Sequence, residues 1–471
     1  MNNQSSRLPH IIQGGMGVNI SSWQLARTVS MLGQQGTISG TALEIVVAYI
    51  LSMGDMGGHV RRALSQFPFP SVAESVLKNF FIEGGLKEGE RPPVVPVWTV
   101  TPSRRLIELT ICANYAIVYL AKERHDGIVS INYLEKIAMP HIYAITGAML
   151  AHVDVITMGA GLPFEIPSVI NAIAHGETAR YRLPVKPLPT GKNISSYTAE
   201  FNPKKFFGGT FPSLNKPRFI PIIASDSLAN IMILKLKPGD IYGFVVEEPS
   251  AGGHNAPPRK KGERVYGEKD IVNYEKIHKL GVPFWIGGAH ASPEKLTWAL
   301  SIGASGIQAG SIFALSEESG MDPEIRREVR RLGFRGELVI KPDFDISPTG
   351  FPFKVVQLPG TISDTAIYQS RNRICDKGQL VTLYERADGK IGYRCPSEPE
   401  DTFVAKGGDI KDVTGRGCVC NGLAATAHMS HTGEIPIVTL GDDVRFLKLL
   451  MPNENARYFV FQIIEYLLGQ S

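Results

Sequence analysis

The 471-residue sequence predicts an α/β fold, a (β/α)8 barrel with insertions and a smaller C-terminal region. Three observations predict it. Short apolar runs that end in Gly or polar residues alternate with longer stretches of helical periodicity, the pattern of repeated βα units. Eight such runs occur, and eight units close into a barrel. The length suits a barrel of about 250 to 350 residues with insertions, plus an appendage.

In chain order, strands are expected at residues 11–16 (IIQGGM), 35–40 (QGTISG), 128–133 (IVSINY), 154–159 (DVITMG), 219–224 (FIPIIA), 242–247 (YGFVVE), 284–288 (FWIGG) and 306–311 (GIQAGS). A ninth apolar run, VVPVWTV at 94–100, reads as part of an insertion near 85–125. Helices after the later strands begin with Pro293 and Pro323, where the missing N–H costs nothing. Residues 180–218, rich in Pro, Lys, Gly and Ser, read as a surface excursion. From Ser347 the alternation gives way to SPTGFPF and Cys- and Gly-punctuated pieces. The barrel domain is therefore set at 8–346 and the C-terminal region at 347–471, with a docking helix over Ala456–Leu468.

Composition narrows the class of partner. A formal charge of +4 gives no field suited to nucleic acid. There is no run of 18 apolar residues and no apolar leader in MNNQSSRLPH, so no membrane partner is expected and the expected location is cytoplasmic. Five cysteines argue against a disulfide framework and for a reducing compartment. Cys112, alone in an apolar helical stretch, reads as a small buried hydrophobe.

Barrel active sites form at the C-terminal ends of the strands, so the residues closing each run carry the functional reading. IGGA at 286–289 and IQAGS at 307–311 occupy the places of the seventh and eighth strands. Glycine there lets backbone N–H groups approach an anion, so Gly287, Gly288, Gly310 and Ser311 are candidates to cradle a phosphate. Tight βα turns need glycine as well. The run VVEEPSAGGHNAPPR ends a strand in Gly252, Gly253 and His254, projecting an imidazole over the barrel mouth. An imidazole changes charge near neutral pH and suits a general base; a hydrogen-bonded loop histidine is the other reading, and chemistry alone leaves both open. A second GGH, Gly57–His59, sits in a helical stretch beside Arg61 and Arg62 and reads as structural or surface.

IIQGGMG, the INY strand, ITMGAGLP, AGGH and the WIGGA and QAGS pair occur in the order seen in nitronate monooxygenases, and the chain resembles that family of 2-nitropropane-dioxygenase-like flavoproteins over roughly residues 8–320. The resemblance implies non-covalent FMN, with a small-molecule substrate and dioxygen. It implies that His254 takes the proton alpha to a nitro group or orients the nitronate. It places Gly252, Gly253, Gly287, Gly288, Gly310 and Ser311 at the FMN phosphate, and Gln13, Met16 and Asn132 along the isoalloxazine. One departure stands out: Glu247, Glu248 and Pro249 lie where the family has Gln and Gly. Two carboxylates beside a flavin disfavour further negative charge, so at least one is expected to face away or be paired.

The loop PPRKKGER after the histidine carries Arg259, Lys260, Lys261 and Arg264, either a solvated loop or a docking site for an anionic substrate or acyl carrier protein. Cys375, Cys395, Cys418 and Cys420 all sit near turn formers. Four thiolates suit tetrahedral zinc or an iron–sulfur cluster, and ordinary reduced cysteines are the alternative. Three functions follow as expectations. The first is FMN-dependent oxidation of alkyl nitronates by dioxygen. The second is an FMN- and NAD(P)H-dependent enoyl reductase acting on carrier-bound acyl chains. The third is a non-catalytic flavin- or metal-binding partner. Homo-oligomer formation is left open.

Overall fold

Each of the eight apolar runs becomes a strand, and all neighbours among them are parallel: β1 Ile11–Gln13, β2 Gly36–Ser39, β3 Val129–Leu134, β4 Val155–Gly159, β5 Arg218–Ile223, β6 Phe244–Glu247, β7 Phe284–Gly287 and β8 Gly306–Ala309. The structure is a computed structural model describing residues 8–188, 194–260, 262–430 and 433–470. The order β1-β8-β7-β6-β5-β4-β3-β2 returns to its start through a parallel bridge between Ile12 and Gln35, so the sheet is a closed (β/α)8 barrel. Among the described residues, no helix is long and apolar enough to cross a membrane.

Closure at the β1–β2 seam depends on side chains as well as backbone. Gln13, fully buried, accepts the Thr37 N–H at 2.8 Å and donates to the Ser21 hydroxyl at 2.8 Å. Gln34 accepts the Ile11 N–H at 2.9 Å. Strand residues Ile12, Val155, Ile220, Val245 and Trp285 make a core of their own, and the indole of Trp285 donates to Pro9 O at 2.8 Å. That packing leaves the mouth, at the C-terminal strand ends, as the place where a ligand can enter.

Material outside the barrel is arranged differently from the sequence expectation. The run at 94–100 forms no strand; Trp98 is buried, its indole donating to the buried Glu44 carboxylate at 3.1 Å. The region near 85–125 is not all insertion, because Arg104–Lys122 is a long helix packed on β2, β3 and the helix His141–Leu150. The excursion at 180–218 contains the antiparallel strands Ala179–Lys186 and Ser196–Phe201. These join Thr382–Glu385 and Ile391–Arg394 from the C-terminal region in one four-stranded sheet. A shared sheet means the C-terminal region is built onto the barrel rather than appended to it. The last helix, Val460–Leu467, docks on the helices Trp23–Met31 and Pro293–Ser301 through Val460, Ile463, Ile464 and Leu467, as its apolar run predicts. Cys112 is fully buried in the core, also as expected.

Gln13→Ala removes the amide that stitches β1 to β2 and leaves buried partners unsatisfied, a loss of about 2–3 kcal/mol. Equilibrium urea unfolding is expected to show the corresponding drop in midpoint; an unchanged midpoint would show that the seam does not depend on this side chain.

Candidate active site at the barrel mouth

A cavity of about 400 Å³ opens at the strand ends and is lined by Asn132, Glu247, Gly252, Gly253 and His254 together with apolar side chains such as Ile137 and Leu162. A second lobe of about 160 Å³ shares Gly252 and Gly253 with the first and is lined by Met16, Gly287, Gly288, Gly310 and Ser311. All the sequence-predicted mouth residues except Gln13 therefore meet on one continuous surface. Gln13 lies behind the wall, its amide engaged at the seam.

Local backbone explains the glycines. Gly288 has φ +99°, and a Cβ there would come within 2.8 Å of Ser250 Oγ and 3.1 Å of Glu248 Cβ. A Cβ on Gly15 would fall 2.3 Å from Asn132 Cβ, so this glycine lets the loop after β1 lie against the end of β3. Ser250 Oγ is buried without a hydrogen-bond partner among the described residues, beside the glycine-lined lobe.

His254 is fixed from two sides. It pairs as an antiparallel bridge with Phe353, and its ring meets the Phe353 ring edge-on with centroids 4.8 Å apart. Its Nε2 is hydrogen-bonded to the Ser347 hydroxyl at 2.7 Å, and Ser347 is in turn bonded to Thr349 at 2.8 Å. Burial, reinforced by the nearby Lys136 charge, pulls the imidazole down to about 3. The expectation of a histidine changing charge near neutrality is corrected: at pH 7 it is a neutral hydrogen-bonding group.

Lys136 lies over the Phe351 ring, 3.1 Å from its centroid, and burial lowers its ammonium to about 8. The two glutamates divide as their burial requires. Glu248 is paired, accepting the Tyr274 hydroxyl at 2.5 Å. Glu247 faces the cavity, and burial, only partly opposed by its hydrogen bond to Asn255, raises its carboxyl to about 8. It therefore holds its proton at pH 7, which answers the question posed by two carboxylates beside a ligand.

Several wall residues had no sequence-level assignment. Thr439 accepts the Gly253 N–H at 2.8 Å, and the Gly441 N–H donates to Ser311 Oγ at 2.8 Å. Lys377, Gln379 and Leu380 line the larger lobe, and so does Cys420, which the sequence offered only as a metal ligand. The run PIVTLGD at 436–442, apolar and closed by Gly, has the same form as the barrel strand ends and was the available signal.

Two of the loop's basic residues are ion-paired and a third is held by a backbone carbonyl. Arg264 makes a two-pronged pair with Asp345 at 2.7 and 3.0 Å, Lys260 pairs with Glu263, and Arg259 donates to Ala224 O at 3.0 Å. Lys261 lies outside the described residues. The second GGH is at the surface, His59 facing Trp23 with ring centroids 5.3 Å apart.

The tail cysteines are free thiols in two contacting pairs, Cys375 with Cys395 and Cys418 with Cys420. Among the described residues, no group of three or more His, Cys, Asp or Glu side chains is arranged to hold a metal ion. The zinc or iron–sulfur expectation is therefore not supported by the arrangement of the described side chains.

No protein-family model matches this chain, and no curated protein does. Among solved structures, FabK from Thermotoga maritima is similar over 99% of this chain and 94% of its own, at 16% identity and a TM-score of 0.49. A nitroalkane oxidase from Streptomyces ansochromogenes is similar over 99% and 96%, at 12% identity and 0.45. The enoyl reductase domain of MlnA from Bacillus amyloliquefaciens is similar over 78% and 68%, at 12% identity and 0.38. The fold assignment rests on the closed parallel sheet itself.

Glu247 also sets a stability trend. Below its ordinary value of 4.5 the carboxyl is protonated folded or unfolded; between 4.5 and about 8 only the folded chain keeps the proton, so the cost of burying it grows as pH rises and levels off beyond 8. Glu247→Gln is expected to raise Tm by a few degrees at about pH 8 and to leave it unchanged at about pH 4. Equal shifts at both values, read by differential scanning calorimetry, would show that the proton is not the cause.

Proposed function

We propose that the chain is an FMN-dependent oxidoreductase that oxidises small alkyl nitronates or nitroalkanes with dioxygen. The observation that carries the reading is the continuity of the two lobes: a glycine-walled pocket leads directly to a mostly apolar cavity bearing His254 and Asn132. The motif resemblance supplies the identity of the cofactor and the reaction. Bound FMN would supply the electron-accepting chemistry. Gly287, Gly288, Gly310 and Ser311, with Gly252 and Gly253, would hold its phosphate, and Met16 and Asn132 would border its ring.

The protein's share is positioning and exclusion. His254, neutral and oriented by Ser347, has Nδ1 without a partner among the described residues, so with Nε2 donating to Ser347 it can accept a hydrogen bond from the substrate at that atom. Lys136 adds positive charge next to the imidazole, which favours a nitronate anion over a neutral ligand of the same shape. Glu247, protonated, avoids placing a second negative charge there. Apolar walls keep water from the reacting carbon.

A second reading is enoyl reduction with NAD(P)H as donor, favoured by the apolar lining of the larger lobe, including Ile45, Leu134, Ile137 and Leu162. The absorption spectrum of the purified protein separates these. A flavin band bleached anaerobically by propionate-3-nitronate alone supports the first reading; bleaching by NADPH alone supports the second, and absence of flavin from protein supplied with FMN removes both.

His254→Ala is expected to retain FMN and lose about 10²- to 10⁴-fold in turnover of a neutral nitroalkane. Steady-state oxygen consumption checks it, and unchanged turnover would remove His254 from the chemistry.

A further inference from the structure

The neutral His254 leaves one step of nitroalkane chemistry without a group to perform it. A neutral nitroalkane must lose its α-proton to become a nitronate, and an imidazole held down to about 3 takes up little proton at pH 7. Strand parity identifies another side chain facing the same space, because successive residues of a barrel strand alternate between inside and outside. On β6, Val245 packs inside the barrel with Ile220 and Trp285, whereas Val246 packs in the large core shared with the helices. Glu247, two residues after Val245, therefore faces inward one layer above it, at the end of the strand. It lies in register with Gly287 of β7, and the Glu248 N–H donates to Gly287 O at 2.9 Å.

Glu247 borders three spaces that meet there. It lines the larger lobe with His254 and Asn132, and the smaller lobe with Gly287, Gly288 and Ser311. It also lines a side pocket of about 150 Å³ with Ser225, Arg259, Tyr266 and Asp270. The residue keeps part of its surface accessible. Its carboxyl is thus placed to meet a substrate in the larger lobe and to exchange protons with solvent through the side pocket.

We propose that Glu247 is the general base that takes the α-proton of a neutral nitroalkane in the larger lobe. The C–H bond breaks, an O–H bond forms on the carboxylate, and the C–H electron pair moves into a C=N bond, leaving the negative charge on the nitro oxygens. Charge in the cavity is conserved, since the carboxylate gives up one negative charge as the nitronate gains it. Two anions never share the enclosed site. The proton then leaves through the side pocket. The substrate class rests on the nitroalkane reading of the same cavity given above.

A carboxyl raised by burial to about 8 suits a base working near neutrality. Below that value it is protonated and accepts no proton, so the rate of abstraction rises as pH rises through it. Tyr133, Lys377 and Cys420 also face the larger lobe, and His290 and Asp443 the smaller one. Glu248, Arg259, Tyr266 and Asp270 surround the side pocket. Burial pushes Tyr133 well up, Tyr266 up to about 12 and His290 down, while Lys136, beside His254, is lowered to about 8.

The full-length protein, kept anaerobic in D₂O with nitroethane, separates proton transfer from oxidation. Wild type is expected to exchange the α-hydrogens faster than buffer does, read by loss of their ¹H NMR signal, with a rate that rises between about pH 6 and pH 9. Glu247→Gln, which keeps the shape of the side chain, is expected to lose about 10²-fold or more of that exchange together with the rise. A cooperative calorimetric transition shows that this variant is folded. In His254→Ala, the exchange that remains is expected to keep its rise with pH. No exchange by wild type above buffer, or unchanged exchange in Glu247→Gln, would overturn the proposal. So would a rise that persists in Glu247→Gln, which assigns the base to Lys136. Oxygen uptake with preformed ethyl nitronate tests oxidation by itself: exchange lost in Glu247→Gln supports the base whether or not oxygen is consumed, and uptake without any exchange overturns the base while oxidation stands.

Discussion

The close approach of Gly252 to the backbone of Leu440 and Gly441 is the constraint on which the rest of the mouth depends. A Cβ on Gly252 would lie 2.7 Å from the Leu440 carbonyl carbon and 2.9 Å from the Gly441 nitrogen, so only glycine allows the C-terminal segment to lie against the loop after β6. Once there, that segment is held by Thr439 to Gly253, by Ser311 to Gly441 and by Val356 N–H to Val438 O at 2.9 Å. The buried Lys354 pairs with Asp442 in the same place, joining the strand Phe353–Gln357 to this roof. That strand in turn bridges to His254 and receives Asn255 N–H at Pro352 O, so the histidine's position follows from the roof. A barrel without its tail would have an open mouth and an unsupported histidine.

Roofing the mouth changes its electrostatics. Burial removes water from Glu247, His254 and Lys136 together, and each responds in the direction that reduces charge: the carboxyl holds its proton, the imidazole stays neutral and the ammonium loses its proton more readily. The cavity is then able to take one ligand charge without competing with a carboxylate. The same enclosure places Cys420 on a wall that would otherwise be a surface, which is why a tail cysteine and the barrel histidine share one cavity.

The strands were legible because a buried parallel strand must be apolar and must end where its chain turns, and both marks are in the sequence. Boundaries moved by only a few residues: 11–16 became Ile11–Gln13 and 242–247 became Phe244–Glu247. The glycines and His254 were legible for a related reason, since a strand end needing close backbone approach admits few residues. Gln13 was placed along the isoalloxazine by the family resemblance alone. Its burial at the seam came from the need to satisfy Thr37 N–H where β1 and β2 are joined by a single bridge, which a linear reading does not reveal.

By itself, the sequence determined the eight βα units, the glycine-marked strand ends and the imidazole at the mouth, because these follow from local rules of periodicity and backbone freedom. Only the tertiary structure decided that Ser347 orients His254, that Thr439 and Gly441 close over the glycine-lined lobe, that the excursion and the tail form one sheet, and that the four tail thiols come together. Those contacts join residues dozens to hundreds of positions apart. Their geometry is set by packing of the C-terminal region onto the barrel, and no short-range pattern carries that information.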